Sequence, residues 1–217
     1  MNCLFEKKLF QKGWKNIIGL DEAGRGPLAG PVYAASVLLT KKDIKKLKKY
    51  KNFIKKIKDS KKLSPFTRQE LFSFLKKEKI LKFHCSYASE KIIDKINIEN
   101  ATKKAMERCL KKFKIPEKDY KKTIILIDGN RILNKNLKIK QVPIVKGDNK
   151  IFVIALSSII AKFQRDEKMK KLSKKYPLYK FEIHKGYPTK THKKLLKKFG
   201  PCEIHRKSFL KNILLKK

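Results

Sequence analysis

Three apolar runs in this chain end at a carboxylate, and no other feature limits its fold as much. Asn16 to Ala23 (NIIGLDEA) closes on Asp21-Glu22, Thr123 to Ile127 (TIILI) delivers Asp128, and Gln141 to Val145 is followed by Lys146-Gly147-Asp148. Short apolar runs rich in β-branched residues read as buried strands. Acids at the ends of neighbouring strands would converge on one edge of a sheet. Carboxylates packed together repel one another unless protons or cations offset the charge. A donor set made of oxygen suits Mg²⁺ or Mn²⁺. Any one of these acids could be a solvated turn residue, and Asp128-Gly129-Asn130 has the composition of an ordinary turn. The series is harder to dismiss, because the chain has only 19 acids in 217 residues.

The rest of the chain supplies an α/β frame for these strands. Pro31 to Thr40 is a second β-like run, joined to the first by the turn-rich Gly24-Arg25-Gly26-Pro27-Leu28-Ala29-Gly30, so the pair reads as a hairpin. Lys41 to Lys58 is lysine-rich and only loosely amphipathic. Ser64 with Pro65 is an N-cap and first-turn pair for a helix to about Lys79. Ile80 to Ala88 alternates as a third strand. Ser89 caps a short helix through Ile96, and helical spacing returns from Asn100 to Phe113. Ile151 to Leu172 carries a long apolar face, Tyr176 to Pro188 is irregular and aromatic-rich, and Thr189 to Phe199 is a basic helix stopped by Gly200-Pro201. The order predicts an α/β layer architecture with a mixed sheet. No repeat or linker divides the 217 residues, so one domain is expected.

Charge excludes less than its size suggests. The chain holds 58 lysines and arginines, for a formal net charge of +39. That permits a polyanionic partner. Only six of the 58 are arginine, and lysine runs interleaved with Ile, Phe, Asn and Leu are also what an A/T-rich coding sequence produces. The charge therefore identifies no function. Cys3, Cys85, Cys109 and Cys202 are scattered, which argues against a zinc site or a disulfide framework. Without a signal-peptide stretch or a membrane-length apolar run, a cytoplasmic protein is expected. Gly24-Arg25-Gly26 lacks the further glycines and the Gly-Lys-Ser/Thr of nucleotide-cradling loops.

With their surroundings, these residues resemble the ribonuclease HII family. Gly19-Leu20-Asp21-Glu22-Ala23-Gly24-Arg25-Gly26-Pro27-Leu28-Ala29-Gly30-Pro31-Val32 is similar to its first signature. In family order there follow Asp59-Ser60-Lys61-Lys62-Leu63-Ser64, Ile127-Asp128-Gly129-Asn130, Val145-Lys146-Gly147-Asp148, Ser157-Ser158-Ile159-Ile160-Ala161-Lys162 with Arg165-Asp166, Tyr176-Pro177, His184-Lys185-Gly186-Tyr187, Gly200-Pro201, and His205-Arg206-Lys207-Ser208-Phe209. The resemblance covers about residues 16 to 209.

It implies an RNase H-like fold with a central mixed five-stranded sheet flanked by helices. The core would run from about 16 to 172, and a helical substrate-binding segment from about 173 to 217. It implies an endoribonuclease that cuts the RNA strand of RNA–DNA hybrids, and duplex DNA 5′ of single ribonucleotides, leaving 3′-hydroxyl and 5′-phosphate ends. Asp21, Glu22, Asp128 and Asp148 fall on the catalytic positions. The first three are implied as ligands of Mg²⁺ or Mn²⁺ in a two-metal site, with Asp148 joining when substrate is present. Gly24, Arg25 and Gly26 are implied to sense the ribose 2′-hydroxyl through backbone groups, Tyr187 to test the RNA-to-DNA junction, and Lys61, Lys146 and Lys185 to contact substrate. Asp166, on a helix after Arg165, is expected to pair with a base rather than join the site. A monomer with no membrane partner is expected. Pro188 stands where the family has glycine and is expected to stiffen the loop bearing Tyr187. The type HIII enzymes carry an added N-terminal domain for which the early signature leaves no room, and a non-catalytic basic binding protein would have charge without the ordered acids.

Overall fold

The structure, a computed structural model, describes residues 2–57 and 62–214. In chain order its elements are α1 (Leu4–Gln11), β1 (Asn16–Ala23), β2 (Val32–Thr40), α2 (Lys41–Leu47), α3 (Lys51–Lys56), α4 (Pro65–Glu78), β3 (Lys82–Ala88), α5 (Glu90–Lys111), β4 (Thr123–Asp128), β5 (Lys140–Ile144), α6 (Phe152–Lys175), α7 (Phe181–His184), α8 (Lys190–Phe199) and α9 (Lys207–Leu214). The strands form one mixed sheet in the order β3-β2-β1-β4-β5. β1 is antiparallel to β2 and parallel to β4, which is parallel to β5. The hairpin, the buried strand from Thr123 and the capped α4 are as expected, with Ser64 Oγ accepting from Thr67 N.

Successive strand residues face opposite sides, and here both sides are covered. Ile17, Ile124 and Leu126 pack with α6, whereas Ile18, Leu20, Ile125 and Ile127 pack with Ala105, Met106 and Cys109 of α5. The same alternation places Asp21 and Asp128 on the α6 side and Glu22 on the α5 side. The two expected helices around Asn97 are stacked end to end as α5. Asn97 breaks the helical path at φ 63°, and its side chain caps the second half through Asn100 N. The lysine-rich stretch after β2 forms two short helices that bury Leu47 and Phe53.

α6 sits unusually close to β1. A Cβ on Gly19 would lie 2.4 Å from the carbonyl carbon of Val153, so only glycine admits the helix backbone there. Ser157 Oγ donates to the Gly19 carbonyl at 3.0 Å and to that of Val153 at 2.9 Å. α6 has no side-chain cap of its own. α1, which no sequence signal announced, supplies one: Val153 N donates to the buried Glu6 Oε1 at 3.1 Å. A carboxylate is favourable at that positive helix end, although burial raises the Glu6 pKa. Among the described residues no helix is long and apolar enough to cross a membrane.

Gly19→Ala should therefore destabilise the fold by about 1–3 kcal/mol, the usual cost of overpacking. A urea midpoint equal to that of the unsubstituted chain would mean that α6 is not seated on β1 as described.

Candidate active site

The parallel register pairs Leu20 with Ile127, which brings Asp21 and Asp128 side by side where β1 and β4 end. Asp21 is buried at 4 % exposure. Burial raises its pKa well above the usual carboxylate range, and the charges of Glu22 and Asp128 raise it further. Hydrogen bonds from Ser158 and from Glu22 N, the latter at 2.7 Å, oppose the shift. Asp128 Oδ1 accepts from Gly147 N at 2.7 Å and Asp148 N at 3.4 Å, so its carboxylate anchors the turn carrying the buried Asp148. Gly147 lets that turn close: a Cβ there would stand 2.7 Å from Ile154 Cδ1 and 3.3 Å from Asp128 Oδ1.

Two clefts meet at these acids. One, of about 230 Å³, is lined by Asp21, Glu22, Asp128 and Asp148, by Gly24, Arg25 and Gly26, and by Ser158, Lys162 and Tyr187. The other, of about 220 Å³ on the α5 side, shares Glu22, Arg25 and Asp128. Both fall below the roughly 300–1,000 Å³ that encloses a small-molecule ligand. Among the described residues no three acidic, imidazole or thiol groups enclose an ion on their own. The donor set still fits Mg²⁺ or Mn²⁺, which take few protein carboxylates and complete their shells with water and phosphate. A cation would also relieve the repulsion that raises Asp21.

The expected substrate residues divide. Gly24, Arg25, Gly26 and Tyr187 line the cleft with the acids. Arg25 Nη1 lies 3.5 Å from Glu22 Oε1. Lys146 and Lys185 are not among the lining residues. Lys146 starts the Asp148 turn at φ 56°, and the Lys185 amine bonds the Glu182 carbonyl. Lys61 lies outside the described residues. Asp166 pairs with Lys162 at 2.7 Å and Arg68 at 3.2 Å, the structural role expected of it.

Several contributors fall within the motifs quoted above, yet nothing in the sequence assigns them a place in the site. Ser158 counts as part of an apolar helix face until Asp21 is seen beside it. Lys162, one turn on, reaches the cleft and lies 5.7 Å from the Tyr187 ring centre, with the Arg165 guanidinium 5.4 Å from it. Arg165 and Arg206 are fully buried. Arg165 bonds the carbonyls of Pro31, Ala29 and Lys185, tying the loop after β1 to the Tyr187 turn. Leu28 N adds a bond to Gly186 O at 2.8 Å.

Three of the four histidines hold that turn from behind. His184 Nδ1 accepts from Gly186 N, His192 Nδ1 lies 2.9 Å from Tyr187 O, and His192 Nε2 lies 3.1 Å from His205 Nε2. His205 Nδ1 accepts from Cys202 N at 2.9 Å, so its other nitrogen carries the hydrogen shared with His192. A proton added to His192 would set two donors against each other. Burial holds both rings neutral, lowering His192 and His205 to about 4.

The sheet order, the helices on both faces and the acids at the ends of β1 and β4 define a nuclease of RNase H-like fold. The sequence profile described as Ribonuclease HII matches residues 18–212. Ribonuclease HII of Caldicellulosiruptor bescii is 50 % identical over 96 % of this chain and 93 % of its own. The ribonuclease H2 structure from Pyrococcus horikoshii superposes with a TM-score of 0.71 at 27 % identity, covering 91 % of this chain and 96 % of that one. The Archaeoglobus fulgidus RNase HII, solved in complex with PCNA, gives 0.72 at 25 % identity over 93 % and 98 %. The chain belongs to the ribonuclease HII family and, with it, to the ribonuclease H hydrolases.

The histidine trio implies a pH dependence. Its folded-state pKa values lie below the ordinary 6.5, so the unfolded chain binds more protons between those limits. The stability these histidines contribute should be complete above pH 6.5 and fall as pH drops toward about 4. Ring resonances followed by NMR should stay neutral through pH 5.5; titration of His192 or His205 near 6.5 would contradict the buried network.

Proposed function

We propose that this enzyme hydrolyses the RNA strand of RNA–DNA hybrids and cuts duplex DNA 5′ of single embedded ribonucleotides, leaving 3′-hydroxyl and 5′-phosphate ends. The observation that carries the reading is the shared cleft. It lines four acids against the Gly24-Arg25-Gly26 loop and Tyr187, so phosphate chemistry and sugar reading fall within one nucleotide step.

Asp21, Glu22 and Asp128 would hold Mg²⁺ or Mn²⁺, with Asp148 added when substrate is bound. Divalent ions there supply Lewis acidity at the phosphate and lower the pKa of the attacking water. The protein's own part is alignment. Ser158 and Glu22 N hold the Asp21 carboxylate in one orientation. Asp128 fixes the Asp148 turn. Gly26 has no protein atom within 4 Å of where its Cβ would be and no left-handed backbone requirement. Nothing in the free protein requires glycine there, which supports close approach of a sugar. The 2′-hydroxyl is the group that separates RNA from DNA. Tyr187, backed by Lys162 and Arg165, presents a rigid ring to the neighbouring sugar. The helical segment from 173 onward, which carries and braces Tyr187, is the substrate-binding part of the domain.

Asp128→Asn should lower Mg²⁺-dependent kcat by about 10³-fold, the scale of a few kcal/mol of lost charge stabilisation, while duplex affinity changes little. Retained cleavage would remove Asp128 from the chemistry. Tyr187→Ala should reduce kcat/KM more on a duplex with one ribonucleotide than on a continuous hybrid. Equal losses on the two substrates would sink the junction role.

A further inference from the structure

Arg206 is buried beneath the Gly24-Arg25-Gly26 loop, and backbone carbonyls take its donors. Nη2 donates to Gly24 O at 2.7 Å, Nη1 to Arg25 O at 2.9 Å and Nε to Gly30 O at 2.9 Å. One planar fork thus captures two consecutive carbonyls and the far end of the same loop. Among the described residues there are no cis peptide bonds, and across a trans peptide the C=O and the following N–H point in opposite directions. With Gly24 O and Arg25 O drawn onto Arg206, the N–H groups of Arg25 and Gly26 point away from it, and the same residues line the cleft. Neither donates to a backbone carbonyl among the described residues outside the helices and strands. Arg165 closes the other flank of Gly24, where a Cβ would come 2.0 Å from its Nε. Arg165 Nη1 is itself buried without a partner.

We infer that Arg206, braced by Arg165, is a positioning residue for substrate selection: it sets two successive backbone N–H donors toward the ribose of the nucleotide in the cleft. This rests on the reading of that loop as the sugar contact. A lysine keeps the charge but has no planar fork to span three carbonyls, so Arg206→Lys separates geometry from charge.

The test compares Kd for a duplex with one ribonucleotide and for the all-DNA duplex of the same sequence, in an Asp128→Asn background so that substrate is bound and not cut. The reference protein should prefer the ribonucleotide duplex by about tenfold, the size of one or two hydrogen bonds to a hydroxyl. Arg206→Lys, folded by its melting curve, should bring the ratio to about one. An unchanged ratio in the folded variant overturns the inference, whereas a ratio of one in the reference protein overturns the sugar-contact reading instead. Amide exchange in the same Asp128→Asn protein tests the orientation without altering Arg206. The Arg25 and Gly26 amides should exchange freely in the free protein and slow on adding the ribonucleotide duplex but not the all-DNA duplex. Protection of both in the free protein would overturn the outward orientation, even if Arg206→Lys fails to fold.

Discussion

The contact on which the rest of this structure depends is the meeting of the α6 backbone with Gly19. Removing one Cβ from the middle of β1 lets a 24-residue helix lie almost against the strand. Ser157 then fixes the helix register by bonding the Gly19 carbonyl. The next residue, Ser158, is thereby placed on Asp21, and one turn further Lys162 reaches the cleft. Arg165 and Asp166, on the same helix, join the loop after β1, the Tyr187 turn and α4. A shift of α6 by a fraction of a turn would disconnect all of these at once. Glu6 at the helix start is part of the same fixation.

The sheet was legible in the sequence because buried strands write themselves as apolar runs, and β1, β2 and β4 lie where those runs fall. The acids were legible because a chain so poor in carboxylates places them conspicuously at strand ends. What could not be read depended on distance or on sameness. Glu6 caps a helix that begins nearly 150 residues later, and no local pattern encodes that. Lys146, Lys162 and Lys185 are alike as letters among dozens of lysines, yet only Lys162 reaches the cleft. Arg165 and Arg206 fall within motifs, but nothing local shows that both are buried at 0 % exposure and bond backbone carbonyls. The three histidines likewise gave no sign that their ring nitrogens were committed to one another and to the Tyr187 turn.

The site combines two kinds of rigidity. The acids sit on or beside strands, where sheet pairing determines their spacing. The Gly24-Arg25-Gly26 loop and the Tyr187 turn are instead held by buried guanidinium and imidazole groups that bond their carbonyls and amides. Hydrogen bonds to charged groups contribute about 1.5–3 kcal/mol each, enough for a few buried arginine contacts to give a loop the definition of a strand.

The distribution of acids has a consequence for how such a chain tolerates change. Nearly every carboxylate named above has an assignment: Asp21, Glu22, Asp128 and Asp148 at the cleft, Glu6 at the start of α6, Asp166 between Arg68 and Lys162. Asp43 completes the cap of α2, and Asp94 accepts from Lys207 N and Ser208 N where α9 begins. Lysine on the outer surface is interchangeable, because water accommodates its charge almost anywhere. The acids just named are not, since each meets a helix end, a buried cation or the cleft. Drift toward a basic composition can therefore proceed a long way before touching the architecture, provided it spares these eight acids, which stand at joints where the molecule is held together.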